Sequence, residues 1–106
     1  MIKLGEILIL DNDSPNEPQP QIQKSTCIIT CGLSYKSTIT ASSIDDDGFT
    51  YCIQRSIFTL NKVKIEPQEF KIYWAKKPKN IYHHLEIVTT LLICDTPIFA
   101  FEKFVF

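Results

Sequence analysis

Four cysteines (Cys27, Cys31, Cys52 and Cys94) and two histidines (His83 and His84) are the side chains of this sequence best suited to hold a metal. Zinc takes four ligands at tetrahedral corners, and its structural sites bring paired cysteines together across a tight turn. Cys27 and Cys31 instead fall in the apolar run Thr26 to Leu33, which reads as a strand, and there four residues span about 13 Å. That is too far for two ligands of one ion. Cys52 and Cys94 stand alone. The expectation is therefore no metal and no cofactor, no disulfide, and cysteines packed as small hydrophobes.

Three further constellations could do chemistry. His84 and Glu86 would share one face of a strand, as an acid/base pair or two metal ligands, but no third partner is identifiable. Ser43-x-Asp45-x-Asp47-Gly48 imitates the start of a calcium-binding loop, yet its twelfth position is Gln54 where a bidentate Glu is needed. Asp and Gly in that order are also what a hairpin turn requires. Glu69-Phe70-Lys71 is an E-x-K tripeptide of the kind used by metal-dependent nucleases, and Asp45, Asp46 or Asp47 could supply the missing acid. Alternating charge is equally expected of any half-exposed strand. No G-x-S-x-G elbow is present, and isolated glycines at 5, 32 and 48 cannot build a phosphate cradle. The chain is expected not to be an enzyme.

Binding chemistry is better represented. Between residues 71 and 84, Lys71, Lys76, Lys77 and Lys79 are interleaved with Tyr73, Trp74, Tyr82, His83 and His84. Cations for phosphates and rings for bases are what single-stranded nucleic acid requires. Trp74 shares parity with Phe70 and Ile72, however, which assigns it to the core. The second binding candidate is the C-terminal run, with Phe104 and Phe106 on a strand that packs into the sheet or against a partner.

The elements that position these groups read as strands. Segments rich in Ile, Val, Thr, Phe and Tyr recur between short polar breaks. They are Lys3 to Leu10, Thr26 to Leu33, Lys36 to Ile44, Phe49 to Leu60 with Asp47-Gly48 as its hairpin turn, Val63 to Ile65, Phe70 to Ala75, and Ile98 to Phe106. Residues 11 to 24 carry Pro15, Pro18 and Pro20 and almost nothing to bury, so they read as a polar loop or an arm that orders on binding. Ile81 to Cys94 is ambiguous. Ile81, Leu85, Val88 and Leu92 fit a helix capped by Asn80, but the β-branched run Ile87-Val88-Thr89-Thr90 favours a strand.

Bulk composition agrees with an ordinary folded chain. The sequence has 106 residues, 44% hydrophobic and 22% charged, with net charge −1, enough for one core. Residues 1 to 53 hold three Lys against seven acids, and residues 54 to 106 hold eight Lys or Arg against five acids. Either the two halves attract each other in the fold or one face is mildly basic, and neither gives the strong field of a dedicated nucleic-acid binder. No stretch approaches the 18 or so apolar residues of a membrane span, and the N-terminal apolar run is too short for a secretory signal. A cytoplasmic location, in a cell or an infected host cell, is expected.

Together these features predict a single all-β domain over residues 1–106, an antiparallel sandwich or barrel of about seven strands, with α+β and one helix around residues 81–94 as the alternative. The expected function is noncatalytic binding of another protein or of copies of itself, as an assembly subunit or an inhibitor of the kind that viruses and mobile elements encode. Single-stranded nucleic acid is the alternative partner, and no membrane is expected. The residues assigned to binding are Lys71, Tyr73, Lys76, Lys77, Lys79, Tyr82, His84, Phe104 and Phe106.

Overall fold

The structure, a computed structural model, describes residues 2–13 and 27–106. The Pro-rich arm expected at 11–24 lies outside the described residues apart from Asp11, Asn12 and Asp13. Strand β1 (Ile2–Leu4) turns at Gly5, whose φ of +58° suits a residue without a side chain, and returns antiparallel as β2 (Ile7–Asp11). The single strand expected over Lys3 to Leu10 is thus a hairpin. β3 (Cys27–Cys31) runs parallel to β2, with Ile9 opposite Ile29, and β4 (Ile39–Ser42) runs parallel to the end of β3, with Cys31 opposite Ile39.

β5 (Gly48–Ile53) returns antiparallel to β4. Its turn differs from the two-residue hairpin expected at Asp47-Gly48. Ser43 takes the positive φ (+48°), and the Asp45 carboxylate accepts the Asp47 and Gly48 amides at 2.8 and 3.0 Å. Gly48 is needed for close approach, since a Cβ there would stand 1.9 Å from the Ile72 carbonyl oxygen. The expected strand Phe49 to Leu60 breaks at Gln54, and a separate two-stranded ribbon follows from β6 (Ile57–Phe58) and β7 (Lys64–Ile65). β8 (Gln68–Tyr73) then pairs antiparallel with the full length of β5.

The six-stranded sheet has the order β1-β2-β3-β4-β5-β8 and is mixed. It neither closes into a barrel nor stacks as an antiparallel sandwich, which corrects the leading expectation for this β-rich chain. One face carries the core: Ile7 and Ile9, Ile29 and Cys31, Ile39, Phe49, Tyr51 and Ile53, then Ile72 and Trp74, alternate residues of successive strands.

The cover on that face is the helix of the alternative reading, α1 (Tyr82–Ile93). Leu85, Val88, Thr89, Leu92 and Ile93 are buried along one stripe. Burying the four apolar members contributes about 1.5–3 kcal/mol each, whereas a β-branched residue costs a helix no more than about 0.7 kcal/mol. Burial decides. The threonines add local bonds, with Thr89 and Thr90 hydroxyls donating to the Leu85 and Glu86 carbonyls at 2.6 and 2.7 Å. Asn80 Oδ1 accepts the Tyr82 amide at 2.8 Å at the entry. At the exit Asp95 (φ +68°) and Thr96 return amide bonds to Leu92 and Leu91, which closes the last turn. Among the described residues no helix is long and apolar enough to cross a membrane.

The C-terminal strand expected over Ile98 to Phe106 is also corrected. Ile98–Lys103 form a 3-10 helix. Its period of three aligns Ile98 with Phe101, and Phe101 is fully buried against Phe70 at a ring separation of 5.4 Å. The tail meets the sheet at its end, where Val105 forms a parallel bridge to Tyr73.

Candidate functional site

Among the described residues β8 is the last strand of the sheet, and its backbone shows which groups turn away from β5. Phe106 donates its amide to the Tyr73 carbonyl at 2.8 Å, and Ala75 donates to the Phe106 carbonyl at 3.0 Å, both on the side away from β5. Trp74 donates in the opposite direction, to Asp47 at 3.1 Å. Odd-numbered residues of β8 therefore present their N–H and C=O groups outward. Phe106 thus satisfies the Tyr73 carbonyl and the Ala75 amide. The same alternation turns Glu69 and Lys71 outward, and among the described residues no hydrogen bond meets their backbone groups.

Charge and apolar surface flank this gap. Lys71 Nζ lies 3.3 Å from Asp45 Oδ2. The Asp47 amide, helped by Lys71, holds the exposed Asp45 carboxyl below its ordinary value. The Cys52 thiol faces Glu69 Oε2 at 3.8 Å, and partial burial pushes that thiol's pKa up. The E-x-K pair and one proposed acid are thus neighbours, but among the described residues no group of three His, Cys, Asp or Glu could hold a metal ion. Beside the gap Tyr73 is 41% exposed, Phe104 42% and Val105 67%.

The sequence-assigned binding residues separate into three places. Lys71, Tyr73, His84, Phe104 and Phe106 gather at the β8 edge and the tail. Lys76, Lys77 and Lys79 are exposed on the connection from β8 to α1. Tyr82 lies elsewhere: its hydroxyl donates to Asp13 Oδ2 at 2.8 Å, the same oxygen that accepts the Leu33 amide, at the carboxyl ends of β2 and β3. Burial, then the Asp13 hydrogen bond, pushes the Tyr82 pKa up to about 12. Trp74 is buried, as its parity required, with its ring 5.3 Å from Phe49 and its Nε1 donating to the Asp46 carbonyl.

His84 packs edge-on to Trp74 (5.5 Å) and to Phe106 (6.5 Å). Its Nδ1 is buried without a hydrogen-bond partner among the described residues, and burial followed by the neighbouring His83 charge lowers its pKa from the ordinary 6.5. His84 is a wedge between helix and tail. It shares no face with Glu86, because two residues along a helix turn the side chain by about 200°. The expectation of buried cysteines holds for Cys31 alone. Cys27 and Cys94 are exposed, Cys52 is half-buried, and all four are free thiols.

Sequence reasoning named Lys71 and Phe104 but missed that the backbone between Glu69 and Lys71 is itself the feature. Val105 was missed as well. The parity of β8 was readable, but nothing local to β8 says that it ends the described sheet. Compared with protein-family models, curated proteins and solved structures, the chain matches none.

Proposed function

We propose that this chain is a noncatalytic protein-binding module that docks an extended segment of its partner along β8, as a subunit of an assembly or as an inhibitor. The observation that carries this reading is the outward pair of backbone units at Glu69 and Lys71, unpaired among the described residues and bordered by the exposed side chains of Tyr73, Phe104 and Val105. Strand addition draws affinity from such main-chain groups and specificity from the side chains beside them. Folded proteins cover, shorten or charge their sheet edges to prevent unwanted pairing. Here Phe106 covers the Tyr73–Ala75 end of β8.

The test is Lys71→Pro. Proline is tolerated on an edge strand whose N–H faces outward, so the variant keeps the β5 ladder and removes an outward donor. A protein partner held by the wild-type chain should be lost with Lys71→Pro and kept when Lys76, Lys77 and Lys79 are all changed to Ala. The reverse pattern, with retention of a single-stranded oligonucleotide that fades with salt, would move the function to the lysine loop and nucleic acid.

A further inference from the structure

We infer that the partner is a second copy of this chain, joined β8 to β8 in antiparallel register about Phe70; the inference rests on reading β8 as the docking edge. Only odd-numbered residues offer outward groups, so a twofold antiparallel pairing with hydrogen-bonded odd residues centres on one residue of Gln68–Ile72. Centring on Gln68 sets Glu69 against Pro67, which has no N–H, and centring on Ile72 sets Lys71 against Tyr73, whose carbonyl is taken by Phe106. Centring on Glu69 sets two carboxylates opposite each other, and centring on Lys71 sets two ammoniums. Like charges directly opposite on neighbouring strands destabilise pairing. Centring on Phe70 sets Glu69 against the partner's Lys71 and Lys71 against the partner's Glu69. Of these registers, the one centred on Phe70 is complementary.

The ends of the seam agree with that register. It would bring Tyr73 opposite the partner's Pro67 as the next hydrogen-bonded pair. Tyr73 has already given its carbonyl to Phe106, and proline has no N–H to offer. Pairing therefore stops at the same two residues on both sides. The seam spans Gln68–Ile72 of each copy, an ordinary strand length. At its centre the two Phe70 rings, each half-buried against Tyr51 and Phe101, meet across the twofold axis. The Asp45 ion pair already holds Lys71 over the outer face, on the same side as Glu69.

Sedimentation velocity of the full chain across a concentration series tests this. The 12.2 kDa chain should sediment as a dimer at high concentration. Glu69→Lys and Lys71→Glu should each raise the dimer dissociation constant by about tenfold or more, from losing two cross-strand pairs and gaining like-charge contacts. The double variant E69K/K71E should return toward the wild-type value, because the exchanged charges are again complementary. Circular dichroism of each variant confirms folding, and Glu69→Lys leaves the Asp45 contact untouched. A dimer in which the double variant is no better than the singles overturns the register. A monomer at every concentration overturns the second copy, while Lys71→Pro against a different bound protein still decides the docking edge.

Discussion

The Tyr51 hydroxyl lies 2.7 Å from Thr89 Oγ1, with both side chains fully buried, so the middle of β5 is tied to the middle of α1 by a polar contact inside an apolar layer. The threonine proton goes to the Leu85 carbonyl, so the tyrosine donates. Cys31 Sγ stands 3.7 Å from the same oxygen, and burial pushes its pKa to about 12. The cluster stays uncharged and serves the fold.

Its energetics should be asymmetric. Tyr51→Phe removes one hydrogen bond and should cost about 1 kcal/mol in urea unfolding, whereas Thr89→Val leaves a buried hydroxyl without its acceptor and should cost about 1–3 kcal/mol. The double variant should lose less than the sum. Strict additivity would mean that the two groups do not interact.

The tail offers a sharper contrast. A strand would put Phe99 and Phe101 on one face, but the 3-10 turn buries Phe101 completely and leaves Phe99 68% exposed. Phe101→Ala should destabilise by about 3–5 kcal/mol. Phe99→Ala should change stability by no more than about 0.5 kcal/mol. Equal losses would restore the strand.

How much of this was legible depends on how local the cause is. β8 could be read from period-two alternation, which put Trp74 in the core where it lies. The helix pattern of Ile81, Leu85, Val88 and Leu92 was visible, but propensity argued against it because the cost of Thr89 and Thr90 is local while the gain, cover for a bare sheet face, is not. In the tail the signal was present and misread. Phe99 and Phe101 differ in parity from Phe104 and Phe106, a three-residue step that a strand cannot keep on one face. The proposed docking edge was the least legible part, since the position of β8 at the end of the described sheet is set by the path of the whole chain.

His84 gives the pH dependence. Its folded pKa lies below the ordinary 6.5 because burial disfavours the cation. Between the folded value and 6.5 the unfolded chain binds more protons, so stability rises with pH in that window. Above 6.5 the His84 contribution is flat. Acidification from 7 should therefore lower the thermal midpoint, beginning near 6.5, and His84→Gln should remove that part of the decline. An identical acid profile in the variant would assign the loss to other groups.

Amide hydrogen exchange of β8, in the dissociated and associated chain, tests the docking edge most directly. Phe70 and Ile72 face β5 and should be protected in both states, while Glu69 and Lys71 should exchange rapidly alone and slow by at least about tenfold on association. Association with rapid exchange persisting at Glu69 and Lys71 would contradict the account.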